Sequence, residues 1–130
     1  MRVLKTLTRL YVNDMNKAVS YYEKLLSVKC EMYINYREIG IELAQVGDFL
    51  ILAGQDENLK SFKDTKATLQ VDSVMEFKEY LLNNGSEIIR DIKPVPTGYN
   101  LTVKNPDGVV LEYVQFSGTP FHSEGGQSSV

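Results

Sequence analysis

The stretch of sequence that decides the fold is residues 105–115, which read Asn105-Pro106-Asp107-Gly108-Val109-Val110-Leu111-Glu112-Tyr113-Val114-Gln115. Pro106 fixes φ and Asp107-Gly108 has the composition of a reverse turn, so the chain is predicted to turn there. The apolar run that follows is predicted to be a strand. One carboxylate, Glu112, interrupts that run. Because burial of an unpaired carboxylate is costly, Glu112 is expected to face either water along an edge strand or a polar cavity.

Size and charge limit the class of protein. The chain has 130 residues, 43% of them hydrophobic, and a net charge of −3, which suits one compact core. An acidic pI of 5.2 without a Lys/Arg cluster argues against a nucleic-acid or anionic-membrane partner. The sequence has no apolar run near the roughly 20 residues of a membrane span, and residues 1–5 lack the apolar core of a signal peptide. The single cysteine, Cys30, fits a reducing compartment. We therefore expect a cytoplasmic protein.

The first half of the chain has the pattern of a βαβββ module. Residues 4–12 are predicted to be a strand, and Asp14 is predicted to cap a helix whose apolar residues begin with Met15 and Ala18. Strands are predicted at 28–34, 38–46 and 49–53, with a tight turn at Gly47-Asp48. The charged stretch 55–66, whose apolar anchors are Leu59 and Phe62, is predicted to be a connector.

The second half has the same pattern. A strand at 67–71 precedes Ser73, which with Glu76 has the spacing of a capping box and predicts a second helix. Strands are predicted at 87–92, 99–104 and 109–115, giving a second βαβββ module. Residues 117–130 have the composition of a tail, and we expect them to be disordered or loosely docked through Phe121.

The two halves are related by one offset. Val12 and Val71, Met15 and Val74, and Asp48 and Asp107 each stand 59 residues apart. A constant offset that spans both the helix start and the last hairpin indicates an internal duplication.

The chain resembles the vicinal oxygen chelate superfamily, which includes glyoxalase I, bleomycin-resistance proteins, fosfomycin-resistance proteins and extradiol dioxygenases. The resemblance rests on residues 12–14, on the run 18–26 of the first helix and on residues 105–112. It implies an α+β fold in which two βαβββ modules, 4–54 and 66–116, form a curved, partly closed mixed sheet around a cleft with helices outside. It also implies a single domain at 4–116 and a homodimer.

The resemblance also indicates which residues stand at the superfamily's metal-ligand positions. Metal-dependent members draw ligands from the first and last strand of each module, and the positions that correspond here are Leu7, Ala53, Lys66 and Glu112. One carboxylate and an ammonium are too few donors for a divalent ion, so we expect neither metal nor cofactor. The only histidine, His122, lies in the tail and is not expected to be a ligand. Lys66 is expected to pair with Glu112.

Strand alternation predicts which residues line a cavity with Glu112, because residues two apart share a face. The opposite parity (Leu10, Val12, Leu50, Leu52, Leu69, Val71, Val109 and Leu111) is expected to face the helices. Tyr99, from the segment 93–99, is expected to cover a bound molecule. The predicted ligand-binding residues are Arg9, Tyr11, Phe49, Ile51, Lys66, Thr68, Gln70, Tyr99 and Glu112.

Three classes of function remain open. The leading hypothesis is a metal-independent protein that binds a small organic molecule, similar to bleomycin-resistance proteins that sequester a drug. Because Arg9 and Lys66 accompany Glu112, an anionic or zwitterionic ligand is at least as well supported as a cationic one. The alternative is a lyase, isomerase or dioxygenase with Glu112 as general base or metal ligand. The third class is a regulatory or structural module.

Overall fold

The computed structural model describes residues 1–95 and 98–116, and the predicted tail with His122 and Phe121 lies outside them. The fold is α+β and has the two predicted βαβββ modules. The strands are β1 (Val3–Val12), β2 (Cys30–Tyr36), β3 (Ile41–Val46), β4 (Phe49–Gly54), β5 (Thr65–Val71), β6 (Glu87–Val95), β7 (Gly98–Lys104) and β8 (Val110–Phe116). The α-helices are α1 (Met15–Leu26), α2 (Asp56–Leu59) and α3 (Val74–Asn83), and short 3-10 turns lie at Arg37–Ile39 and Lys60–Phe62.

The chain packs as two compact units. Residues 7–66 form the N-terminal unit, and residues 1–6 with the chain from residue 67 onward form the C-terminal unit. In the described residues, no helix is long and apolar enough to cross a membrane.

In the N-terminal unit the strands lie in the order β2-β3-β4-β1, with β1 parallel to β4 and the other pairs antiparallel. Asp14 caps α1 by accepting a hydrogen bond of 3.1 Å from the backbone N–H of Lys17, and Ser27 ends the helix in the left-handed conformation. Helix α1 buries Met15 and Ala18 on one face of this sheet, where Ala44, Val46, Ile51 and Ala53 also lie.

On the opposite face of this sheet lies the stretch that follows β4. The stretch predicted to be only a connector contains α2, whose Leu59 is 1% exposed and packs with Leu7, Ile41, Leu50 and Leu52. Asn58 of α2 donates a hydrogen bond of 3.3 Å to the carbonyl of Gly40, which has a φ of +68° and leaves no space for a Cβ beside Asn58. The stretch therefore contributes to the core as well as joining the two modules.

In the C-terminal unit the strands lie in the order β5-β8-β7-β6, with β7 antiparallel to both β6 and β8. Ser73 caps α3 as predicted, because its hydroxyl accepts from the backbone N–H of Glu76 at 3.2 Å. A second cap was not predicted: the side-chain oxygen of Gln115 accepts from the N–H of Val74 at 2.9 Å. Helix α3 packs on Val71, Leu101, Val103 and Tyr113 of the sheet.

The prediction that Phe49, Ile51 and Ala53 face the cavity was wrong. Ile51 and Ala53 pack against α1, whereas Leu50 and Leu52 lie in the cluster on the other face. The cause is turn length. Two residues separate the paired Val46 and Phe49, but residues 105–109 separate the paired Lys104 and Val110. The difference is an odd number, and an odd shift in a strand moves every side chain to the opposite face.

Two predicted boundaries also change. The strand predicted at 38–46 begins only at Ile41, because Arg37–Ile39 forms a 3-10 turn that ends at Gly40. The segment 93–99, from which Tyr99 was expected to cover a ligand, is partly strand, since Pro94 pairs with Tyr99 and Val95 with Gly98. Its two central residues, 96 and 97, lie outside the described residues.

Candidate functional site

The candidate site is built on Glu112, in the middle of β8. Its neighbours Leu111 and Tyr113 point toward α3 and join the apolar cluster there, so Glu112 lies on the opposite face, as predicted, and is half-buried. The hydroxyl of Thr68 on β5 donates a hydrogen bond of 2.9 Å to Oε1 of Glu112. The side-chain amide of Asn100 on β7 lies 3.4 Å from Oε2 and donates a weaker one. Neutral donors from two strands thus hold the two carboxylate oxygens in place.

Threonines flank Glu112 on this face. Thr102 is the direct cross-strand partner of Glu112, and Thr68 and Thr102 are 1% and 3% exposed. Thr68 was predicted from the sequence, whereas Asn100 and Thr102 were not. Their signal is the polar residue at every second position of β7, which places Asn100 and Thr102 on one face of the strand.

Arg9 and Tyr11 form a second polar group, within the N-terminal unit. Arg9 is 9% exposed, and its Nη1 donates to the hydroxyl of Tyr11 at 3.1 Å and to the carbonyl of Phe62 at 3.2 Å. The hydroxyl of Tyr11 lies 2.6 Å from the Phe62 carbonyl and 2.8 Å from that of Thr65. The guanidinium carbon is 5.9 Å from the centre of the Tyr11 ring. These contacts hold the residues after α2 in place.

The remaining predicted site residues have different surroundings. The ring of Phe49 packs against Tyr22 of α1 with 5.3 Å between centroids, and Ile51 is fully buried against the same helix. Gln70 is half-buried on β5, and Lys66 and Tyr99 are exposed. The predicted ion pair of Lys66 with Glu112 stays a prediction.

The residues at the superfamily's metal positions do not fit a divalent cation. Leu7 and Ala53 are aliphatic and 1% exposed, and Ala53 faces α1. Thr68 and Asn100 each donate a hydrogen bond to Glu112. Divalent ions are held by carboxylate, imidazole or thiolate ligands that converge on one point. Among residues 1–95 and 98–116, no three His, Cys, Asp or Glu side chains lie close enough to hold an ion.

Comparison with known proteins agrees with this fold. No family model matches the chain. The paired βαβββ modules are those of the vicinal oxygen chelate superfamily, and the chain belongs to it. It is 44% identical to an uncharacterized protein from Methanosarcina mazei, whose crystal structure matches with a TM-score of 0.84 over 94% of this chain and 99% of that one.

Enzymes are among the more distant relatives. The chain is 27% identical to lactoylglutathione lyase of Salmonella typhimurium over 127 residues. This alignment covers 88% of this chain and 93% of the lyase. The crystal structure of methylmalonyl-CoA epimerase from Mycobacterium tuberculosis matches with a TM-score of 0.71 at 14% identity, over 89% of this chain and 90% of the epimerase. That second match shows the fold alone.

Proposed function

We propose that this protein binds a small organic molecule on the face of the C-terminal unit that carries Glu112, and that it does so without a divalent metal. The observation that supports this function is the pair of neutral donors on Glu112. Thr68 and Asn100 fix the direction of the carboxylate, and a fixed, half-buried carboxylate accepts hydrogen bonds from a ligand at little cost in side-chain entropy.

The surroundings of Glu112 also suit a ligand. Charge-assisted hydrogen bonds to a carboxylate are about twice as strong as neutral ones, so Glu112 is suited to an N–H or O–H group of the ligand. On the same strand and face, Val110 and Val114 are half-buried and offer apolar contact. A few polar groups among apolar ones is the usual lining of a small-molecule site.

The test has two measurements on the purified protein. Elemental analysis after incubation with zinc, nickel, manganese and iron is expected to show no stoichiometric metal. A thermal-shift screen of small metabolites is expected to find compounds that stabilise the wild type and stabilise Glu112→Gln less. Glu79→Gln is the matched control, because Glu79 is exposed on α3 of the same unit. One equivalent of metal that disappears in Glu112→Gln would show the proposal wrong.

The second candidate function is an enzyme, a lyase or isomerase in which Glu112 acts as general base or metal ligand. The likeness to lactoylglutathione lyase along 88% of the chain favours it. Under the proposed binding function, assays for lactoylglutathione formation and for methylmalonyl-CoA epimerisation, each with and without added metal, are expected to be negative. Activity that is lost in Glu112→Gln and retained in Glu79→Gln would replace binding by catalysis as the function.

We also propose that the protein forms a homodimer. Edge strands with unpaired backbone groups favour pairing with a second copy, and within the described part of the chain β2 and β6 each have only one neighbouring strand. Light scattering at micromolar concentration is expected to give twice the mass of the 14.7 kDa chain, and the mass of a monomer would exclude this assembly.

A further inference from the structure

Thr102 lies directly beside Glu112 on the face that is proposed to bind the ligand. Its neighbours on β7, Leu101 and Val103, pack in the apolar cluster with α3, so Thr102 lies on the opposite face of the strand. It pairs there with Glu112 on β8. The oxygen of a threonine side chain is bonded to Cβ, so in every rotamer the hydroxyl stays close to the face on which Cβ lies. The hydroxyl of Thr102 is thus on the face of Glu112.

The fold does not use this hydroxyl. Thr102 is 3% exposed, and within residues 1–95 and 98–116 its hydroxyl forms no hydrogen bond. Burial of a hydroxyl without a partner is costly, and nearly all buried polar groups in proteins are paired. The hydroxyl oxygen of Thr102 is not sealed from solvent, so a molecule that enters from solvent can supply the missing hydrogen bond.

The neighbouring polar groups leave acceptors for a ligand. The hydroxyl of Thr68 and the amide of Asn100 each donate a hydrogen to Glu112. A carboxylate only accepts hydrogen bonds, and its negative charge attracts the hydrogens of a ligand and repels lone pairs. Beside this charge, the hydroxyl of Thr102 is favoured as an acceptor. Glu112 and Thr102 therefore present two oxygen acceptors side by side.

The spacing of the two strands suits one nitrogen that carries two hydrogens. The Cβ atoms of a cross-strand pair are about 4.5–5.5 Å apart. Two oxygens that each accept a hydrogen bond of about 2.9 Å from one nitrogen are separated by about 5 Å, because the two N–H bonds diverge. A hydroxyl group carries one hydrogen and cannot donate to both oxygens.

We propose that Thr102 is a specificity-determining residue of the Glu112 face and that the ligand binds there through a primary amino group, either an amine or a carboxamide. One hydrogen of this group is donated to Glu112 and another to the hydroxyl of Thr102. The inference rests on the proposed binding function and names the class of ligand for it. Val110 and Val114, half-buried on the same strand and face as Glu112, contact the apolar part of the ligand.

The probes are benzylamine and benzamide, which carry the –NH2 group as an amine and as an amide on the same ring. The control ligands are N,N-dimethylbenzylamine, N,N-dimethylbenzamide and benzyl alcohol, none of which can donate two hydrogen bonds from one atom. Each compound is titrated into the protein, and the NMR shifts of the backbone amides of β7 and β8 give its Kd. The probes are expected to bind the wild type more tightly than the control ligands do.

Variants of Thr102 test the second hydrogen bond. Thr102→Val is expected to weaken both probes by about twofold to tenfold, the usual range for one hydrogen bond, and to leave the control ligands unchanged. Thr102→Ser keeps the hydroxyl and is expected to keep most of the affinity. Thr65→Val is the matched control, because Thr65 is also 3% exposed and stands on the opposite face of β5 from Thr68.

The outcomes separate this inference from the proposed function. Unchanged affinity of the probes in Thr102→Val, or an equal loss in Thr65→Val, would overturn the role of Thr102. Probes that bind the wild type no better than the control ligands, or not at all, would overturn the ligand class, and this comparison needs no variant. Either result leaves the proposed function standing if other compounds bind and depend on Glu112. If Glu112→Gln binds every compound as well as the wild type does, the proposed function itself is wrong.

Discussion

The hydroxyl of Thr68 lies 2.9 Å from Oε1 of Glu112, although the two residues are 44 positions apart in the chain. The bond joins β5 to β8 on the face away from α3. Thr68 is 1% exposed, so water does not replace it readily as a donor to the carboxylate.

We expect Thr68→Val to lower the free energy of unfolding by about 1–2 kcal/mol, because the isosteric valine leaves a half-buried carboxylate oxygen without this donor. Urea denaturation measures the change. Thr68→Ser, which keeps the hydroxyl, is expected to lose less. In the double variant with Glu112→Gln the two effects should not add, and strict additivity would mean that the bond has no energetic role.

Leu59→Ala tests the packing of α2. Leu59 is 1% exposed and packs in the cluster with Leu7, Ile41, Leu50 and Leu52. Its truncation to alanine is therefore expected to lower the free energy of unfolding by about 2–5 kcal/mol, as for other buried leucines. Denaturant unfolding compares it with Leu25→Ala, a leucine of the same unit that is 60% exposed. A loss equal to that of the control would show that the stretch after β4 is only a connector.

Acid stability tests the ion pair on the helix side of β6. The hydrogen bond from Lys78, and then the backbone N–H of Ile92, lower the pKa of Asp91 below its ordinary value of 3.8. Because the folded state holds the carboxylate in its charged form, this contribution to stability is present above pH 3.8 and is lost as the pH falls through the lowered pKa.

Asp91→Asn is therefore expected to lower the Tm at neutral pH, and the difference from wild type should shrink as the pH falls below 3.8. Thermal melts between pH 7 and pH 2.5 provide the measurement. Asp64→Asn, at an exposed aspartate of the other unit, controls for the loss of one charge. A difference that stays constant with pH would contradict the role of the ion pair.

Alkaline stability tests Tyr113, which is 4% exposed and whose ring lies 5.6 Å from that of Phe77. Burial raises the pKa of Tyr113 above its ordinary value of 10.0. The hydroxyl of Tyr113 therefore ionises at a lower pH in the unfolded chain than in the folded protein. Its contribution to stability is fully present below pH 10.0 and is lost as the pH rises through the raised pKa.

Tyr113→Phe keeps the ring contact and removes the ionisable group, so it should lose less stability than wild type between pH 9 and pH 11. Thermal melts across that range measure the difference. Tyr80→Phe, at a tyrosine that is 48% exposed, should follow the wild type. Parallel curves for wild type and Tyr113→Phe would show that the burial of this hydroxyl has no effect on alkaline stability.

Local sequence signals were sufficient for much of the fold. The capping residues Asp14 and Ser73 stand where the structure has its helix caps, because a cap depends on residues within one turn. The placement of Glu112 away from α3, and of Thr68 with it, followed from strand alternation within β8 and β5. These features are local, and the amino-acid pattern alone determined them.

Features that depend on pairing between distant residues could not be predicted from the local sequence pattern. The faces of β4 were predicted wrongly because the repeat offset was carried through two hairpins whose turns differ by an odd number of residues. Leu59 has one apolar neighbour, Phe62, in a charged stretch, and only packing against four residues from three strands makes it part of the core.

The candidate site shows the same division. The sequence determined that a carboxylate stands in the last strand, since its turn and its apolar flanks are contiguous with it. Only the tertiary structure decided that Asn100 and Thr68 hold that carboxylate and that Thr102 lies beside it on the same face. The reason is that strand register and bulges are set by hydrogen bonds between strands far apart in the chain, and a shift of one residue reverses every face.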